Sequence, residues 1–330
     1  MNRVQWRTEL RLSRREFLAA SATAATGGLV SGLSAGQDAS GRVGKPVPTQ
    51  LTHAQWDRVV VGRMLHPSLV REMINESLLT LTGKTRVADA WHALFKPEDI
   101  IGIKANHSGA SVIGTVEAVV DALVRSLKKA GWAPEQIALI EVPARLERSH
   151  KTLRARGGWQ SEEVDFGSGK DRLSAVLDQV TGMINLPFIK SHNIAGLTCG
   201  LKNLSHALVK HPARYHTNGC SPYIGDIVSV PAIRDKLKLT IANGFRVVFD
   251  GGPEAVEEKI APAGRLLMGT DPVATDTLAL SVLDELRQEK SLPAIGKGGP
   301  FLDYLDRAAE RGLGINDLDF MDVKMVRFDS

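Results

Sequence analysis

From Trp56 onward, short apolar runs alternate with segments whose apolar residues recur at helical spacing. The runs at 58–63, 99–104, 136–142, 182–186, 237–243, 245–249, 266–269 and 323–328 read as strands, with 164–166 as an edge strand. Helical period marks 67–81, where Leu69, Met73, Ile74, Leu78 and Leu81 share one face. It also marks 87–95, 115–130, 147–156, 171–180, 201–210, 223–236 with a break at Pro231, the segment from Pro272, and 301–310. Strands alternating with helices predict an α/β fold: a mostly parallel central sheet with helices on both faces. No Gly/Pro-rich break interrupts the alternation, so 56–330 is expected to be one domain.

The N-terminus departs from this pattern. Ser13-Arg14-Arg15-Glu16-Phe17-Leu18 has the form of a twin-arginine export signal, and a weakly apolar Ala/Thr/Gly/Ser run follows it to Ser34. That run is too short and too polar for a membrane span, and it holds no cysteine for a lipid anchor, so no stable membrane anchor is expected. The expected layout is a signal peptide over 1–36 and a linker over 37–55, with the twin-arginine translocation machinery as partner. The expected location is the periplasm or another extracytoplasmic space.

Composition is that of an ordinary globular protein, 43% hydrophobic and 24% charged. The formal charge is +4, and beyond residue 40 there are 36 basic against 34 acidic residues. That near-balance carries no electrostatic footprint for nucleic acid, and none is expected as a partner.

Chemistry-bearing residues concentrate in 183–216, which holds four of the nine histidines, Cys199 and Lys190, Lys202, Lys210 and Arg214, with no acidic residue. The strand at 182–186 meets Pro187, which cannot donate to a ladder, so Lys190, Ser191, His192 and Asn193 are expected just past a strand end. Ligands sit beyond such ends in open α/β sheets. In the helix expected over 201–210, Lys202, His206 and Lys210 recur at i, i+4 and i+8 as one stripe. Like charges so placed repel unless an anion offsets them. Lys104-Ala105-Asn106-His107, Asp250-Gly251-Gly252-Pro253 and Thr270-Asp271-Pro272 also follow strands, and the four clusters together could line one cleft. Simpler roles exist for some: Asp271 as a helix N-cap before Pro272, Asp250 in a turn, Asp276 as a solvated helix acid.

The candidate catalytic groups are therefore His192, His107 and Lys190. Lys104, Asn106, Lys202, Asn203, Asp250 and Asp271 are the candidates for holding a cofactor or ligand, and an anionic small molecule suits them. The sequence names no cofactor. HExxH and CxxC zinc signatures are absent, which leaves a metal unassigned. Cys199 and Cys220 are too few for a four-cysteine cluster; they could pair in an oxidising compartment or remain separate thiols. Basic surroundings would favour a low pKa at Cys199.

These motifs resemble the family called domain of unknown function 362. Leu186-Pro187-Phe188-Ile189-Lys190-Ser191-His192, followed by Gly200-Leu201-Lys202-Asn203, is similar to its Pro-x-x-Lys-x-His and Gly-x-Lys-Asn pattern. Lys104-Ala105-Asn106 resembles its Lys-Pro-Asn, with Ala105 in place of proline, and Asp271-Pro272-Val273-Ala274-Thr275-Asp276 resembles its Asp-Pro-Val-Ala-x-Asp. The resemblance covers roughly 101–283, and 196–223 with Gly312-Leu313-Gly314 is similar to a branch bearing twin-arginine signals. It implies an α/β fold and a shared site without a settled reaction. Many relatives carry ferredoxin-like iron–sulfur motifs, whose cysteine set this chain lacks. Three readings stay open: an exported enzyme or cofactor-dependent protein acting on an anionic small molecule, a non-catalytic periplasmic ligand- or metal-binding protein, and an interaction protein with a basic face.

Overall fold

A computed structural model describes residues 48–295 and 301–328. The expected signal peptide lies outside the described residues. The strands in chain order are β1 (Thr49–Gln55), β2 (Val60–Val61), β3 (Met64–Leu65), β4 (Ile101–Lys104), β5 (Ile137–Ile140), β6 (Trp159–Asp165), β7 (Lys170–Ser174), β8 (Gly182–Asn185), β9 (Phe188–His192), β10 (Gly196–Thr198), β11 (Leu237–Val248), β12 (Ile260–Gly269) and β13 (Met321–Arg327). Nine of them form one sheet. Its path runs β13-β1-β12-β11-β8-β4-β5, and β9 continues the line of β8 along β11 while pairing β10 on its other side. The ladders β13–β1, β11–β8, β11–β9, β8–β4 and β4–β5 are parallel; β1–β12, β12–β11 and β9–β10 are antiparallel.

The α/β fold with a mostly parallel sheet is thus as expected, and the residues show why it forms. Along β5, Ile137 and Leu139 enter one core while Ala138 and Ile140 enter another. In β12, Leu266 and Met268 face the first core and Leu267 a third. Apolar residues on both faces of a strand require cover on both sides. The helices Pro67–Thr82 and Val116–Lys129 cover one face with Val70, Met73, Ile74, Val120, Leu123 and Leu127. The helices Gly200–Ser205, Tyr223–Val228 and Asp303–Glu310 supply the second core, and Pro272–Glu289 packs on the third.

Several local expectations are corrected. Of the linker expected over 37–55, residues 37–47 lie outside the described residues and 49–55 form β1, whose Leu51 and Ala54 are fully buried between β12 and β13. Residues 171–180 are not a helix. Leu173, Val176, Leu177 and Val180 are spaced like a helical face, but Lys170–Ser174 pairs with β6 and only Ala175–Asp178 makes a turn of 3₁₀ helix. The helix expected over 201–210 stops after Ser205, so Lys210 leaves the stripe and its backbone N–H bonds the Arg172 carbonyl. Strands 237–243 and 245–249 are one strand, β11, with a register shift between Gly244 and Arg246.

Candidate functional site

The site is built on β9. Pro187 interrupts the ladder as its missing N–H requires, yet β11 runs past the break. Asn185 registers with Thr240, Phe188 with Asn243 and Lys190 with Val248, while the Pro187 carbonyl accepts the Asn243 N–H at 2.8 Å. Lys190, Ser191 and His192 therefore lie inside a strand, not beyond the end of one. All three are buried.

Three lysines meet here, and their partners differ. Lys104 spends its three N–H groups on Glu141 (3.0 Å), Asn203 Oδ1 (3.0 Å) and the Ala105 carbonyl (2.6 Å), so it is fully satisfied inside the protein. Lys190, 0% exposed, donates to the carbonyls of Ser108 (3.0 Å) and Pro253 (3.2 Å). Lys202, 6% exposed, faces His216 Nε2 at 3.3 Å. No carboxylate lies within ion-pair distance of Lys190 or Lys202 among the described residues, and Glu254 acts on Lys190 only from further away. Burial lowers both ammonium pKa values to about 8, and the charge of Lys202 adds to the effect on Lys190.

The histidines are held neutral. His192 Nδ1 accepts the backbone N–H groups of Ile194 (3.0 Å) and Ala195 (3.1 Å), closing the β9–β10 turn. Its proton must then sit on Nε2, which makes the ring a hydrogen-bond donor toward its surroundings. Burial, then Lys202, lowers its pKa to about 3; the same causes lower His206 to about 2 and depress His216. His216 lies between them, with ring centroids 6.0 Å from His192 and 4.5 Å from His206. His107 is exposed, and its backbone N–H reaches Glu141 at 3.3 Å.

A buried chain of amides fixes the helix that carries Lys202. Asn203 Nδ2 donates to Asn185 Oδ1 (2.7 Å), and Asn185 Nδ2 donates to the Gly200 carbonyl (2.9 Å). The N–H groups of Gly200 (2.6 Å) and Leu201 (3.1 Å) both end on Asp276. Asp276 is 0% exposed, not solvated as its helix-interior position suggested, and burial lifts its pKa to about 7. Asp276, Asn185 and Glu141 are the residues sequence reasoning missed. Pairing β8 beside β4 brings Asn185 level with Lys104, and only the register of that ladder reveals it.

Three of the four strand-end clusters converge. Lys190 ties the loop after β4 to the loop after β11 through Ser108 and Pro253, Gly252 N–H donates to Ser191 Oγ at 3.1 Å, and Asn193 N–H donates to the Gly252 carbonyl at 3.0 Å. Asn106 is buried beside them at the end of β4. Asp250 itself turns to Lys259 (2.7 Å) and Arg287 (3.3 Å). The fourth cluster leaves from the opposite end of the sheet. β12 runs antiparallel to β11, so Gly269 registers with Thr240 while Ile260 registers with Val248. Asp271 caps the helix Pro272–Glu289 through Ala274 N–H (2.8 Å) and also holds Ile315 N–H (2.9 Å) and Thr49 Oγ1 (3.3 Å).

Gly252 makes the convergence possible. A Cβ there would overlap the Ser191 carbonyl oxygen and sit 2.8 Å from its carbon, and both are backbone atoms that cannot step aside. Gly252→Ala is expected to push this loop off β9 at a cost of about 1–3 kcal/mol. Chemical denaturation would show it as a lower midpoint with an unchanged slope.

Cys199 and Cys220 are both buried free thiols. Burial and the neighbouring Asp276 push the Cys199 thiol well above its ordinary range, opposite to the shift expected from its basic surroundings.

Residues 160–281 match the family described as Domain of unknown function (DUF362), so the chain carries a domain of that family. The match includes β9, Lys202, Asn203 and Asp276 and leaves Lys104 and Glu141 outside it. No curated protein matches the chain.

Proposed function

We propose that this is an extracytoplasmic protein, delivered by the twin-arginine machinery, that binds and acts on an anionic small molecule at the β9 cleft. One observation carries the reading: Lys190 and Lys202 are buried side chains without a carboxylate partner. Burying an ammonium group costs far more than burying an amide unless an opposite charge meets it. A phosphate or carboxylate between the two lysines would supply that charge, and the Nε2–H of His192 would add a neutral donor. Lys104, Asn203, Asn185 and Asp276 hydrogen-bond within the protein and position the helix that carries Lys202. If a proton moves, Lys190 or Lys202, with pKa values near 8, suits the task better than His192, whose Nδ1 is already occupied. Burial keeps the Cys199 thiol protonated, which argues against a thiolate nucleophile and favours a second reading as a non-catalytic ligand-binding protein. Turnover of a matched ligand separates the two.

The test is a thermal-shift screen of phosphates and carboxylates. A ligand at a hundred times its Kd stabilises by about 2.7 kcal/mol, a rise of several degrees. Lys202→Ala and Lys190→Ala are each expected to abolish the shift. Binding should hold below about pH 8 and fall above it, because the two ammonium groups lose their protons there first. Shifts that persist in both variants, or grow with pH, would sink the proposal.

A further inference from the structure

His206, His216 and Cys220 come from three different turns that follow the helix Gly200–Ser205. His206 stands directly after that helix, His216 after the turn Pro212–Tyr215, and Cys220 in the turn Asn218–Cys220. One donor atom from each lies within 4.8 Å of the other two. We propose that these three residues bind a thiophilic divalent transition-metal ion, with zinc as the reference case, and leave its fourth coordination position to water or substrate.

Three observations support the site. Two imidazoles and a thiol form a borderline-soft donor set that suits zinc, and three protein ligands with an open position is the arrangement of zinc centres that do chemistry. Each ring also has one nitrogen held by a backbone carbonyl. His216 Nδ1 lies 3.1 Å from the Pro212 carbonyl and His206 Nε2 lies 3.2 Å from the Tyr215 carbonyl. A carbonyl only accepts, so those nitrogens carry the protons, and His216 Nε2 and His206 Nδ1 carry the lone pairs. Metal-binding histidines are held in the same way, by a backbone carbonyl on the far nitrogen. The remaining contacts can give way: Ser205 Oγ, 2.9 Å from His206 Nδ1, has a second partner in the Lys202 carbonyl at 3.4 Å, and the Lys202 amine on His216 is a flexible chain end. Finally, Cys220 is a free buried thiol, so no disulfide takes its sulfur from the site.

Binding involves no redox change. The Cys220 S–H bond breaks, its proton goes to solvent, and a metal–sulfur bond forms. Affinity should therefore rise by about tenfold per pH unit below the thiol pKa. The ion displaces the Lys202 amine from His216, so Lys202→Met is expected to tighten metal binding while weakening anion binding. The inference goes beyond the anion reading and fails separately from it, since the metal would bind with no anion present.

The experiment is a titration of chelator-stripped full-length protein with Zn²⁺ against a chromophoric competitor, followed by Co²⁺ as a spectroscopic probe. One equivalent should bind, and Co²⁺ should show a thiolate-to-metal charge-transfer band. Cys220→Ser should abolish that band. His216→Gln should weaken affinity by at least the roughly tenfold to hundredfold loss known for outer-shell changes. Cys199→Ser should leave both readouts intact, and circular dichroism would confirm that each variant folds. Should Cys220→Ser not fold, His216→Gln and the band in the unaltered protein decide. Absence of a band, or equal affinity in the folded His216→Gln variant, overturns the proposal.

Discussion

Lowering the pH from 7 to about 4.5 is expected to cost the protein on the order of 5 kcal/mol, comparable to the whole stability of a typical domain. The cause is three buried imidazoles. Burial lowers the pKa values of His53 and His192 to about 3 and of His206 to about 2, each from 6.5. At His53 the nearby Arg265 and Arg327 add to the effect, and at the other two Lys202 does. A depressed folded-state pKa means that the unfolded chain takes up the proton first. The stability these groups provide is complete above pH 6.5 and is lost as pH falls toward 3, by about 1.4 kcal/mol per unit for each. Asp276 works the other way: with its pKa raised to about 7, it binds a proton more readily folded than unfolded and returns about 3 kcal/mol over the same range. The histidines win because they are three against one. Denaturant titrations at pH 7, 6, 5 and 4.5 should show a falling midpoint, and His192→Gln should flatten the dependence. A midpoint that stays level would contradict the assignment of neutral buried rings.

The second large effect is expected at Asp276. Asp276→Leu removes the acceptor for the Gly200 and Leu201 N–H groups in a place water does not reach. Each orphaned donor costs about 1–3 kcal/mol, so the substitution should destabilise by roughly 2–6 kcal/mol. Gly200 offers no relief, because a Cβ on it would already lie 2.9 Å from Asp276 Oδ1 and 3.1 Å from Asn185 Nδ2, which shows how tightly the three groups pack. Since this network aims Lys202, a folded Asp276→Leu protein should also lose ligand-induced stabilisation. Hydrogen exchange at Gly200 and Leu201 would report the release directly, and unchanged protection there would count against the network's role.

Much of this architecture was legible in the chain, and the exceptions have physical causes. Long amphipathic segments such as 67–81 and 115–130 announced themselves, because a helix needs only its own periodicity to be recognised. Asp271 before Pro272 was readable as a cap for the same local reason. Residues 171–180 failed because Leu173, Val176, Leu177 and Val180 meet the helical template while the backbone of 170–174 is claimed by the preceding strand, β6, in a hairpin. The clustering of Lys190, His192, Lys202 and Asn203 was visible as composition. Its geometry was not: Pro187 looked like the end of a strand because nothing local shows β11 running past it. Asp276 looked like a solvated helix acid because its partner Gly200 lies 76 residues away, and nothing local marked Asn185, whose partner Asn203 lies 18 residues on. The antiparallel sense of β12, which sends Asp271 to the other end of the sheet, is likewise a property of pairing.

The seating of β1 governs the order in which the chain can be completed. Thr49–Gln55 lies between β12 and β13, so the first strand of the described residues pairs with the last two. Until β12 has been made β1 has no edge to rest on, and until β13 follows its other edge stays open. Closing the sheet around β1 is thus a late event in the order of synthesis.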